Sequence, residues 1–268
     1  MKQLWLSELL LSQWGNDPDT VFERVFQLDG EDFRRVKSRR TFRFVLQGRA
    51  YFAKVHRGIG WKEIFKDLLQ GKKPVLGAAN EFAALQLLNA HGLPTMTPAG
   101  FGSRYMNPAR RESFLITEEL PGMTSLEDLA LTPEFSRYRR WALRKLAAHV
   151  GTMHRLGVNH RDCYICHYLL DPAAPEDRRQ LYVIDLHRSQ IRKKVPRRYL
   201  QKDLAGLLFS ALDLNLSKYE LLTFICLYCR AFPAAKLERR ADFWRQVEKK
   251  ASRLYRKEFS RPAPPLAR

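Results

Sequence analysis

The stretch "HRDCYICHYLLD", residues 160–171, sets a basic pair and an aspartate ahead of two cysteines and a histidine, with an apolar, strand-like run behind them. Alone, Asp162 reads as a turn or capping residue. Further on, "VIDL" (183–186) places Asp185 directly after an apolar run, and the segment "HYLLDPAAPEDRRQLYVIDL" (167–186) reads as two short strands around a turn carrying proline and acid. A hairpin of that size brings its ends together. Asp162 and Asp185 are therefore expected to face one cleft, one accepting a proton from a hydroxyl and the other binding Mg²⁺.

The cysteines of the same loop suggest a metal site instead, because Cys163-x-x-Cys166 is matched by Cys226-x-x-Cys229. Zinc ribbons space such pairs ~15–20 residues apart, far closer than positions 166 and 226. The second pair also lies in an apolar helical run, where cysteine acts as a small core residue. Zinc is therefore disfavoured, and the loop stays open between a phosphotransfer site and an ordinary turn.

Working outward, "FSRYRRWALRKLAAHVGTMHRLG" (135–157) carries Trp141, Leu146, Val150 and Met153 at helical spacing. The chain beyond residue 196 is again helical in pattern, and "RPAPPLAR" (261–268) reads as a disordered tail. Before Pro121-Gly122 the pattern is different. Residues 33–57 alternate β-branched or aromatic residues with basic ones around "QGR" (47–49), a hairpin. "AANEFAALQLLNAHGLP" (78–94) is an amphipathic helix through Phe82, Leu85 and Leu88, stopped by Gly92 and Pro94. "TPAGFGSRYM" and "RESFLITEELPG" are short strands joined by "NPARR". Two regions are expected, 1–120 and 121–268.

The chain holds 47 Lys+Arg against 28 Asp+Glu, a net charge of +19 in 268 residues. Such a field attracts nucleic acid, an anionic membrane, a phosphorylated glycolipid or an acidic protein. A 45% hydrophobic content excludes a disordered chain. The N-terminal "MKQLWLSELLLSQWGNDPD" has its leucine patch broken by Glu8 and shows no cleavage site, so no signal peptide is read. No apolar run reaches the ~18–20 residues of a spanning helix, the longest, 219–232, containing Arg230. A cytosolic or surface-attached protein is expected.

Lys54, in "YFAKVH", lies near the end of an apolar strand, where a lysine usually snorkels to solvent. If that strand packs on the helix that follows, Glu81 on its first turns can hold the ammonium toward a polyphosphate.

"AKVH", "NEFAALQLL", "FLITEELPG", "MHRLGVNHRD" and "VIDL" occur in the order and spacing of the protein-kinase-like superfamily, across about residues 33 to 210. More closely, "HRDCYICHYLL" with "YVIDLHR" and the basicity resemble the bacterial lipopolysaccharide core heptose kinases. The resemblance implies an α+β, bilobal protein-kinase-like fold with a small sheet-rich N-lobe and a larger helical C-lobe. It implies transfer of phosphate from ATP to the first inner-core heptose at the cytoplasmic face of the inner membrane. Lys54 then matches the phosphate-binding lysine, Glu81 its partner, Asp162 the catalytic base and Asp185 the metal aspartate. Glu118 and Leu120 match the connector positions whose backbone binds adenine, and Asp203 the helix aspartate that braces the catalytic loop. The related kinases also suggest an acidic acyl carrier protein as a partner, beside the core glycolipid and an anionic membrane surface faced by residues 54–73 and 187–202.

Three departures from the family pattern stand out. His167 occupies the place of the magnesium-binding asparagine, and a neutral imidazole suits Mg²⁺ less well than an oxygen donor. Leu186-His187 replaces Phe-Gly after the metal aspartate, so no Phe-controlled switch is expected. "VKSRRT" (36–41) stands where a glycine-rich loop belongs, which passes phosphate binding to Ser38, Arg39 or Arg40.

A protein kinase shares these motifs, yet lacks support here without a glycine loop or an "APE"-like segment after residue 187. A kinase for the acidic octulosonate of the same glycolipid is separated only by its product. A nucleic-acid-binding protein would explain +19 alone, but the basic residues are dispersed and no recognition motif for DNA or RNA is present.

Overall fold

The computed structural model describes every residue except 1, 37, 70–73, 75, 233–240 and 267–268. The chain divides into two compact units, Met1–Gln86 with Met96–Pro121, and Leu87–Thr95 with Gly122–Arg268.

The first unit carries β1 (Gln3–Leu6), α1 (Glu8–Trp14), α2 (Pro18–Gln27), β2 (Glu31–Val36), β3 (Arg39–Leu46), β4 (Arg49–His56), α3 (Gly60–Leu69), most of α4 (Ala79–Ala90), β5 (Pro98–Arg104) and β6 (Glu112–Glu118). The six strands form one antiparallel sheet in the order β1-β5-β6-β4-β3-β2. Gln47 and Gly48, both at positive φ, make the two-residue turn between β3 and β4, the backbone twist that tight hairpins require. The predicted hairpin is thus part of a meander with β2, an exposed edge strand whose register shifts between Asp32 and Arg34.

Period-two alternation divides the sheet faces. Tyr51, Ala53 and Val55 of β4 join Phe42, Phe44, Phe114 and Ile116 in a core closed by Leu10, Trp14, Val21 and Phe22 from α1 and α2. Lys54 is paired with Leu115, and Leu115 with Phe101, so these three share the opposite face. There Phe101 stacks on Phe82 of α4 with ring centroids 4.3 Å apart. The N-terminal strand and two helices were not legible as such in the sequence. The four-residue β1 owes its strand form to pairing with β5, a partner about a hundred positions away in the chain.

The second unit carries β7 (Thr124–Ser125), α5 (Leu126–Ala130), α6 (Phe135–Arg155), β8 (Val158–Asn159), β9 (Tyr168–Leu170), β10 (Tyr182–Val183), β11 (Gln190–Ile191), α7 (Arg197–Ala211), α8 (Lys218–Ala231) and α9 (Ala241–Phe259). Residues 87–95 group with it, since Thr95 donates to the Val183 carbonyl at 2.6 Å and Val183 to the Pro94 carbonyl at 3.1 Å. α6 buries Ala142, Leu146, Val150 and Met153, whereas Trp141 stands half-exposed beside the Arg179 guanidinium. At Gly151 a Cβ would lie 2.9 Å from the Tyr228 carbonyl oxygen, so α6 and α8 meet at closest approach there. β9 pairs with both β7 and β10, giving the two strands expected around 167–186. The tail departs from expectation, because Arg261 contacts Tyr255 and Leu266 lines a cavity in the helical unit. Both have apolar or aromatic partners that composition alone could not indicate. Among the described residues no helix is long and apolar enough to cross a membrane.

Candidate active site

In the sheet unit, the Lys54 ammonium meets Glu81 Oε1 at 2.6 Å. Glu81 has no exposed side-chain surface and Lys54 keeps 19% of its own, so the pair sits where the lysine head alone reaches solvent. A buried carboxylate needs that compensation, and the ammonium gains a fixed direction from it. At the end of β6 the Glu118 amide donates to the Thr97 carbonyl at 2.9 Å. Glu119 is gripped by Arg43 through two bonds of 2.8 and 2.9 Å, which hold its carboxyl below the usual range. Leu120 follows, and among the described residues its amide has no backbone partner.

Of the residues replacing a glycine loop, Ser38 gives its carbonyl to the Arg57 amide at 2.7 Å, and Arg39 pairs with His56 across β3 and β4. Arg40 is engaged inside the sheet. Its guanidinium donates to Asp32 at 2.6 Å and to the Leu28 carbonyl at 2.8 Å, and lies 4.0 Å above the Phe42 ring.

In the helical unit, Asp203 of α7 is buried and accepts the amides of His160 at 2.7 Å and Arg161 at 2.9 Å. His154 Nε2 lies 3.3 Å from the same carboxylate, and its Nδ1 3.0 Å from the Tyr228 hydroxyl. The carboxylate can only accept, so Nε2 carries the proton and Nδ1 receives the tyrosine's. This network fixes the backbone ahead of Asp162, with Arg161 held at φ +74°.

His167 links the main chain at Asp162 to the Asp185 carboxylate. Its Nδ1 donates to the Asp162 carbonyl at 2.7 Å, which leaves the Nε2 lone pair 3.8 Å from Asp185 Oδ2. His160 stacks flat on it at 5.5 Å, and burial lowers the pKa of His160. Asp185, at φ +57°, accepts from His187 Nδ1 at 2.8 Å through its other oxygen. Two donors on one small cation at ~2.1 Å stand at most ~4.2 Å apart, so His167 Nε2 and Asp185 Oδ2 fit a shared divalent ion. Among the described residues no group of three or more His, Cys, Asp or Glu side chains forms a metal cage.

Two neighbours in "YVIDLHR" were missed as site residues, His187 being read only as a departure from a pattern and Arg188 only as part of a basic segment. His187 orients Asp185, and Arg188 donates to Asp162 Oδ1 at 2.6 Å. An imidazole and a cation two and three positions after Asp185 were the available signal. Cys163 is buried against Tyr168, and burial pushes the thiols up, that of Cys166 to about 11, so neither is ionised at neutral pH. Deeper in this unit Leu143, Leu207, Leu221, Phe224 and Val247 line an apolar cavity of about 480 Å³.

Residues 23–228 match the lipopolysaccharide kinase (Kdo/WaaP) family. The chain is 45% identical over 260 residues to the lipopolysaccharide core heptose(I) kinase WaaP of Pseudomonas aeruginosa, covering 94% of this chain and 96% of that one. It is 42% identical over 256 residues to the Escherichia coli protein of the same name, covering 93% and 96%. A solved structure of WaaP in complex with acyl carrier protein superposes with a TM-score of 0.78 at 40% identity, over 94% of this chain and 99% of that one. The fold is thus the protein-kinase-like α+β fold, with a sheet-rich N-terminal and a larger helical C-terminal part. A phosphotransferase with this fold and these relatives, the chain belongs to the lipopolysaccharide kinase (Kdo/WaaP) family.

Proposed function

We propose that the chain phosphorylates the first inner-core heptose of lipopolysaccharide with ATP as donor. The observation that carries the reading is the loop 160–188, where His167 bridges the Asp162 main-chain carbonyl and the Asp185 carboxylate while Arg188 holds the Asp162 carboxylate, so that a carboxylate fit to act as base and one fit to hold a metal belong to one bonded loop. Asp162 accepts the proton of the sugar hydroxyl through Oδ2, its Oδ1 being engaged by Arg188. Lys54, aimed by Glu81, binds donor phosphate, with Ser38 and Arg39 as further phosphate ligands, and the backbone of Glu118 and Leu120 takes the adenine. Asp185 and His167 would hold Mg²⁺, which neutralises charge on the transferring group when bound.

The +19 charge suits two further partners. An acidic acyl carrier protein is one, as in the similar WaaP complex, and the apolar cavity of the helical unit matches an acyl chain in chemistry. The anionic inner face of the inner membrane is the other. On α3, Trp61, Phe65, Leu68 and Leu69 are exposed beside Lys62 and Lys66, the composition of a helix that lies in a lipid interface. Gln70–Lys73 of the same basic segment lie outside the described residues.

Incubation with labelled ATP, Mg²⁺ and heptose-terminated lipopolysaccharide should place label on the heptose. Label on the octulosonate, or none in the sugar, would overturn the assignment.

A further inference from the structure

A second cavity of about 290 Å³ opens beside the loop that carries Asp162, walled by α7 and α9. Its lining includes Arg161, Lys202, Lys250, Arg253 and Lys257. Among the described residues none of these five side chains forms an ion pair with a carboxylate. No carboxylate among the described residues lines the cavity, and Asp162 is engaged by Arg188, Asp242 by Arg197, and Asp213 by Arg261 and Tyr255. Lys250 has the neutral Gln201 amide oxygen as its acceptor, which leaves its charge uncompensated.

Exposed lysines on a helix are ordinarily a solvated face, and Lys202, Arg253 and Lys257 taken alone would be that. Arg161 and Lys250 are different because both are half-buried. Burial lowers the pKa of each, with further depression of Arg161 by Arg188 and Arg192, which the Asp162 carboxylate and Tyr199 only partly offset, and of Lys250 by Arg197 and Arg253. An anion entering the cavity would relieve cations crowded and desolvated in this way. Tyr164, its pKa raised by burial, keeps its hydroxyl proton as a further donor on the wall. Gly206 makes room on the α7 side, since a Cβ there would lie 3.0 Å from the Cys163 carbonyl and 3.3 Å from the Tyr164 ring.

The position of the cavity states what it serves. Arg161 directly precedes Asp162, and Asp203 fixes its backbone. We propose that this pocket binds an anionic group, carboxylate or phosphate, carried by the acceptor glycolipid close to the hydroxyl presented to Asp162. The inference rests on the glycolipid kinase reading and adds to it a site that selects the acceptor by charge. A planar guanidinium with four flanking ammonium and guanidinium groups suits either oxyanion.

The test compares wild type with Lys250→Ala/Arg253→Ala and with Lys250→Arg, using heptose-terminated acceptor that is intact, dephosphorylated, or reduced at its carboxylates. Losing charge-assisted bonds of this kind should raise the acceptor KM by about ten- to a hundredfold, with kcat within a few fold and the ATP KM unchanged. Lys250→Arg should retain wild-type KM. Whichever modified acceptor already binds wild type weakly, and is not weakened further by the double variant, carried the anion. Equilibrium binding of the acceptor oligosaccharide without ATP reads the pocket independently of transfer. Absence of label in the sugar with charge-dependent binding intact would therefore remove the kinase reading and leave the pocket. An acceptor affinity unchanged by the double variant at low salt, or effects simply additive with both chemical modifications, would overturn the proposal.

Discussion

Arg188 and Asp162 stand at the two ends of the β9–β10 hairpin, and the guanidinium of one donates to Oδ1 of the other at 2.6 Å. The contact engages Oδ1 and leaves Oδ2 for the role of base proposed above. On that proposal Arg188 is a positioning residue. Asp162→Ala should lower kcat by about 10²–10⁴-fold while nucleotide binding persists. Arg188→Ala should lower kcat less, by about tenfold, with both KM values near wild type, and Arg188→Lys should restore part of it. Steady-state kinetics separates the two, and a kcat for Asp162→Ala within tenfold of wild type would place the base elsewhere.

Glu81 is fully buried opposite Lys54, which makes the pair asymmetric in its consequences. Lys54→Met leaves a buried carboxylate without its cation and should cost about 3–5 kcal/mol in urea unfolding. Lys54→Met/Glu81→Leu should recover most of that stability and none of the ATP turnover. Recovery of turnover would separate the pair from nucleotide binding.

Asp185→Asn keeps shape and removes charge. Direct Mg²⁺ titration of the protein with a non-hydrolysable ATP analogue should show affinity reduced by at least tenfold, and His167→Ala should weaken it less, since an imidazole is the poorer magnesium ligand. Equal magnesium affinity in wild type and Asp185→Asn would remove that carboxylate from the metal site.

His149 on α6 is buried, and burial pushes its pKa down to about 4 from 6.5. The unfolded chain then takes up the proton first as pH falls. Stability is full above about pH 6.5 and is lost as pH drops toward 4, by on the order of 3 kcal/mol from this group. His149→Leu should flatten the slope of unfolding free energy between those pH values. An unaltered slope would mean that acid sensitivity arises from other groups.

The exposed aromatic face of α3 is open to a direct measurement. Trp61→Ser/Phe65→Ser should reduce cosedimentation with anionic vesicles several-fold at an ionic strength where lysine attraction is screened, because the remaining binding then rests on buried apolar area. Binding equal to wild type would remove the α3 aromatic face from the membrane contact.

The sequence by itself determined the elements that rest on local pattern. The hairpin turn at Gln47-Gly48, the helix carrying Glu81 and the strands on either side of the 171–181 turn follow from turn chemistry and periodicity, which act over a few residues. Lys54, Glu81, Asp162 and Asp185 could be proposed from the sequence because they occupy family-like motifs on those elements. Only the tertiary structure decided what a long-range partner imposes. β1 is a strand because β5 supplies its hydrogen bonds, and Arg40 is engaged because Asp32 and the Leu28 carbonyl reach it. Arg161 and Lys250, distant in the chain, are half-buried in one cavity because α7 and α9 pack together there, so their shared field belongs to the fold rather than to any segment of the sequence.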